Sequence, residues 1–129
     1  MRGKRRYVGV YRDKVAEVAR TPLSPTATRM LFATLANANE FGHARFAGWT
    51  DIAEQVATSD DGTIASRQTI HKAKRELIQC GALEPSSSTN CLVLSQHLHP
   101  RRTGLRVPNW RAPGCKNRQH LDEYKHLQN

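Results

Sequence analysis

The 129-residue chain reads as mainly α with one small β hairpin, an α+β fold, on three observations. Residues 24–41 and 66–81 place apolar side chains at spacings of three and four, behind a serine and before a glycine. That is the period and the punctuation of amphipathic helices. A shorter stretch, 50–57, carries the same period. Near residue 90 an apolar tetrapeptide follows a run of turn-forming residues, which signals a hairpin rather than another helix.

Residues 1–23 form a basic N-terminal arm. Within it "YVGVY" suits a short strand and "DKVAEVA" part of a helix, and the pattern leaves both open. Ser24 followed by Pro25 is an N-cap with proline at the first helical position, where the missing N–H removes no bond. Ala27, Met30, Leu31, Leu35 and Ala38 then form one buried face, and Gly42 is placed to end the helix. "HARFAGW" alternates loosely and suits a short strand. "TDIAEQVA" is a second helix capped by Thr50 or Asp51, with Glu54 in the first turn, where the helix dipole favours negative charge. Ile52, Ala53 and Val56 make its apolar side, and "TSDDGTIA" is a polar turn.

Ser66 caps the next helix. Ile70, Ala73, Leu77 and Ile78 face inward, and Gly81 closes it. "ALEP", "SSSTN" and "CLVL" read as a two-stranded hairpin, which completes a domain of residues 24–99. Residues 100–129 form a basic C-terminal tail broken by proline and glycine. A narrow stripe through Leu121, Tyr124 and Leu127 would suit a short helix, or a contact in a homodimer.

The net charge is +9, and its distribution is uneven. Residues 1–24 carry +5, residues 25–63 carry −3, residues 64–85 carry +2 and residues 86–129 carry +5. Positive charge that avoids the middle of the chain and gathers at the ends and on one helix is the footprint of a polyanion-binding surface. Other classes find little support. No apolar run is long enough to span a membrane, and the charged N-terminus lacks the apolar stretch of a secretory signal, so a cytoplasmic protein is expected. Three cysteines without a CxxC pair suit free thiols in a reducing compartment. There is no GxxxxGK[ST] phosphate loop. Tyr7, Tyr11 and Tyr124 stand beside no metal-binding histidine cluster, so neither an enzyme nor a cofactor is expected. His97, His99, Cys115 and His120 could supply four zinc ligands, but the stretch between the pairs is far longer than common ligand spacings, and no metal is assigned.

The helix after Ser66 carries the functional expectation. Gln68, Lys72, Arg75 and Gln79 share the face opposite Ile70, Ala73 and Leu77, with Arg67 and His71 beside it. A B-form major groove admits one α-helix. Gln can bond adenine bidentately, and Arg or Lys can bond the O6 and N7 of guanine. Arg67, Gln68, His71 and Lys72 are therefore the candidate base readers. Lys74, Arg75, Arg101, Arg102, Arg5 and Arg6 are the candidate phosphate contacts, with double-stranded DNA as the partner.

"TDIAEQVA", "RQTIHKAKRELIQCGALEP" and "CLVLS" resemble the second helix, recognition helix and wing of winged helix-turn-helix DNA-binding proteins. More narrowly, a basic segment before the first helix ("MRGKRRYVGVYRDKV") and a basic stretch after the last strand ("CLVLSQHLHPRRTG") are similar in layout to small plasmid replication proteins of the RepL kind. That resemblance implies binding at a replication origin and recruitment of host replication proteins. The same domain serves small transcriptional repressors, which is the nearest rival. A single-strand or RNA binder stacking a base on Trp110 is a second rival, and a protein-interaction scaffold using the acidic middle is a third.

Overall fold

A computed structural model describes residues 7–57 and 64–100. The elements run α1 (Arg12–Ala19), α2 (Pro25–Asn37), β1 (His43–Arg45), α3 (Trp49–Gln55), α4 (Arg67–Gln79) and β2 (Cys91–Val93). Among the described residues, four helices with one small antiparallel sheet, β1 against β2, agree with the α+β composition read from the sequence. Of the two possibilities for the first twenty residues, the helix is the one formed, and Val18 carries it into the core.

Ser24 caps α2 as its position suggests, its Oγ accepting the Ala27 N–H at 3.2 Å. The helix stops at Asn37, short of Gly42, because the next residues make a turn of their own. The Asn39 side-chain carbonyl accepts the N–H groups of Phe41 (2.9 Å) and His43 (3.1 Å), swinging the chain directly into β1. Gly42 lies inside that turn with φ +81°. Helix α3 starts at Trp49 with Gly48 as N-cap, not Thr50 or Asp51. Asp51 still tends that end: its carboxylate reaches back to accept the Ala47 N–H at 2.9 Å.

Helix α4 follows its sequence reading at both ends. The Ser66 Oγ accepts the Thr69 N–H at 3.2 Å. At the other end the Ala82 N–H reaches the Leu77 carbonyl (2.9 Å) and the Gly81 N–H reaches that of Ile78 (3.1 Å). This pair of bonds needs a left-handed residue at Gly81, whose φ is +81°.

The expected hairpin is formed only in part, and the regular ladder lies elsewhere. β2 pairs with β1, fifty residues earlier, in the register His43↔Val93, Ala44↔Leu92, Arg45↔Cys91. Residues 82–88 run antiparallel along the other side of β2, but only as isolated bridges, Leu83↔Leu94 and Ser88↔Cys91, with the Glu84 N–H on the Val93 carbonyl at 2.8 Å and the Ser95 N–H on the Ala82 carbonyl at 2.9 Å. Pro85 has no N–H to extend that ladder. The Ser87 hydroxyl takes over and accepts the Val93 N–H at 2.9 Å.

The core forms where α4 packs on α2 and α3, and where α2 covers β1. Met30, Ile52, Ile70, Leu77, Leu83, Leu92 and Leu94 are all fully buried there. Each such side chain contributes about 1.5–3 kcal/mol relative to exposure. Among the described residues no helix is long and apolar enough to cross a membrane.

Candidate functional site

Burial of Ile70, Ala73 and Leu77 against α2 and α3 fixes which way α4 faces. At 100° per residue, Gln68, Lys72, Arg75 and Gln79 fall within an arc of about 60° on the opposite side. All four are exposed, as is Arg67. His71 and Lys74 lie on the flank and are half-buried, so they meet a ligand less squarely than their spacing alone suggests. The helix therefore presents Lys72 and Arg75 on that face, with Arg67 and Lys74 about 110° and 130° round the helix from its centre. Among the described residues no carboxylate lies within 4.0 Å of any of these four cations. Their charge is left for solvent or a ligand.

His71 registers that local field. Its pKa is lowered, first by desolvation and then by the positive charges of Lys74, Arg67 and Arg75. The imidazole is thus neutral near pH 7 and acts as a donor–acceptor pair rather than a cation.

Two contacts invisible in the sequence set the position of α4. Glu76, on the other flank, accepts the Ser24 N–H at 3.0 Å and the Ser24 hydroxyl at 2.8 Å, joining α4 to the start of α2. Lys14 of α1 donates from Nζ to the Cys80 carbonyl at 3.2 Å, placing a cation at the negative C-terminal end of α4. Lys14 also pairs with Glu17 at 3.3 Å.

The remaining candidates divide. Arg5, Arg6, Arg101 and Arg102 lie outside the described residues, as do Trp110 and the 116–128 stripe. Of the four zinc candidates, Cys115 and His120 also lie outside them, while His97 is exposed and His99 is buried. Among the described residues no three His, Cys, Asp or Glu side chains gather as metal ligands would. A pairing the sequence did not suggest is buried in the sheet, where Cys91 Sγ lies 3.5 Å from His43 Nδ1. At 1% and 4% exposure both side chains are buried. Comparison with family models, with curated proteins and with solved structures finds no match for this chain.

Proposed function

We propose that this chain is a winged helix-turn-helix protein that binds specific sites in double-stranded DNA, with α4 in the major groove. One observation carries the reading: α4 is locked onto α2 and α3 by one face and offers Gln68, Lys72, Arg75 and Gln79 on the other, its cations unpaired by any described carboxylate. The element order from α2 onward supports it: helix, strand, two helices and a strand returning beside the first match the order expected of such a domain. Arg67, Gln68 and Lys72 are the base readers in this reading, with His71 assisting from the flank. Arg75 and Lys74 meet phosphates.

The biological setting we favour is initiation or control of plasmid replication, with host replication proteins as further partners. A small transcriptional repressor would use the same residues. Selecting bound duplex fragments from the source DNA separates the two: sites at an origin support replication, and sites over promoters support repression. Replacing Lys72 and Arg75 by Ala should weaken specific binding by about 1–3 kcal/mol for each side chain that reads a base, and by less for one that meets a phosphate. Equal affinity of both variants for the selected site would remove α4 as the reading element.

A further inference from the structure

Between Arg29 and Arg67 the sequence holds a single Lys or Arg, Arg45, among Glu40, Asp51, Glu54, Asp60 and Asp61. This one cation runs against the acidic trend of its stretch. It ends β1 and is exposed, while Ala44 and Phe46 on either side of it are buried. Among the described residues no carboxylate lies within 4.0 Å of it, so its guanidinium neutralises none of the described acids.

The sheet fixes where Arg45 stands. It pairs with Cys91, the first residue of β2, and beside it the Phe46 N–H donates to the Asn90 carbonyl at 2.9 Å. Arg45 therefore lies at the end of the sheet that carries the polar turn 85–90, where Pro85 and Asn90 are exposed. The opposite end is covered by the chain itself. Past β2 the Leu98 carbonyl accepts the Tyr11 N–H at 2.8 Å, and a Cβ placed on Gly9 would stand 3.7 Å from Pro100 Cγ.

Three residues after Arg45, Gly48 caps α3, which packs on α4. In a helix-turn-helix pair the first helix crosses the backbone of the duplex while the second lies in the groove. Here that first helix is α3, and it carries Asp51 and Glu54 with no Lys or Arg. The Asp51 carboxylate is occupied within the fold, by the Ala47 N–H at 2.9 Å and the Gln55 side-chain amide at 3.1 Å. Glu54 is exposed, so α3 supplies the backbone with no attraction of its own.

We propose that Arg45 supplies it, binding a duplex phosphate at the start of α3 as a second anchor beside α4. The proposal rests on the DNA-binding reading above and adds a contact from outside the reading helix. A guanidinium offers paired N–H donors that match two phosphate oxygens. Phosphates are alike at every base pair, so the contact sets register and affinity rather than sequence preference. Edge strands also carry charge to discourage pairing with other chains. A guanidinium with that role alone would leave the salt dependence of DNA binding unmoved.

The test uses the full chain on its selected duplex, with Arg45→Gln, Arg45→Lys, Arg29→Gln and the Lys72→Ala/Arg75→Ala pair. Arg29 is the matched control: it is exposed too, but about 150° round α2 from the buried face that packs on α4. Salt titration, hydroxyl-radical footprinting and competition with unrelated duplex are read for each. Arg45→Gln is expected to flatten the slope of log K against log salt by about 0.9, the loss of one phosphate contact. It should weaken selected and unrelated duplex by the same factor and lose protection at one backbone position beside the α4 footprint. Arg45→Lys should keep the slope, and Arg29→Gln should change nothing. A slope unchanged in Arg45→Gln, or flattened as much by Arg29→Gln or Arg45→Lys, would overturn the proposal. If the Lys72/Arg75 variant keeps its site preference while Arg45→Gln flattens the slope, the α4 reading fails and the phosphate contact stands. If the unaltered chain binds no duplex at low salt, both fall.

Discussion

At the scale of single residues, two titratable side chains on α4 carry opposite consequences for pH. The Glu76 carboxyl is held below its ordinary value, chiefly by the Ser24 backbone N–H and then by the Ser24 hydroxyl, with burial opposing and Lys72 assisting. A carboxylate with a lower pKa in the folded than in the unfolded state stabilises the fold above the ordinary value, near 4.5, and the contribution is lost as pH falls through the folded value. Glu76→Gln should therefore flatten the acid limb of a denaturant-stability profile. Ser24→Ala should cost about 0.5–2 kcal/mol at neutral pH, since it removes the α2 cap as well as one of the carboxylate's two donors. An acid limb unchanged by Glu76→Gln would show that the bridge adds nothing. His71 has the reverse sign. Its lowered pKa means the folded state binds fewer protons than the unfolded chain below about pH 6.5, so free-protein stability declines there as pH falls. On the proposed reading, bound duplex would bring phosphate charge near His71 and favour the imidazolium, so duplex affinity should rise over the same interval. Anisotropy titrations at about pH 7.5 and 5.5 should show this gain, and His71→Gln should lack it. A gain that persists in the variant would assign it to another group.

At the scale of elements, the parts most legible in the sequence are those whose local signals agree with their packing. Helix α4 is the clear instance: Ser66, the Ile70–Ala73–Leu77 spacing and Gly81 all specify one helix, and its exposed face follows from the buried one. Gly81→Ala tests the stop. The left-handed conformation costs a non-glycine residue about 1–2 kcal/mol, and the added methyl would meet Lys14 Nζ at 2.8 Å. Thermal or denaturant unfolding should show that loss, and a second change, Lys14→Ala, should relieve only the steric part. Where legibility fails, the cause is non-local. β2 pairs with a strand fifty residues away, and a tripeptide carries no period that names its partner. The local turn residues advertise a hairpin, yet Pro85 and the Ser87 side chain leave 82–84 a marginal strand. The start of α3 departs from its sequence signals for another reason: Asp51 acts on the Ala47 N–H from inside the helix, while glycine holds the cap. The candidate site divides likewise. The exposed face is readable from spacing, whereas the half-burial of His71 and Lys74 and the Glu76–Ser24 bridge depend on how the helices cross.

At the scale of the whole molecule, charge and architecture are distributed differently along the chain. The body supplies shape and one basic helix, while the end segments supply most of the positive charge. If the chain binds DNA as proposed, affinity and selectivity should respond to different parts, with salt acting mainly through the basic ends and base substitutions in the site acting through α4. The Tyr11–Leu98 contact also has a topological meaning. The body from residue 7 to residue 100 is nearly a ring, because its first and last described stretches meet at the Tyr11–Leu98 bond and at Gly9 beside Pro100. A circular permutant that closes the ring there and opens it elsewhere would keep the packing of α2, α3 and α4.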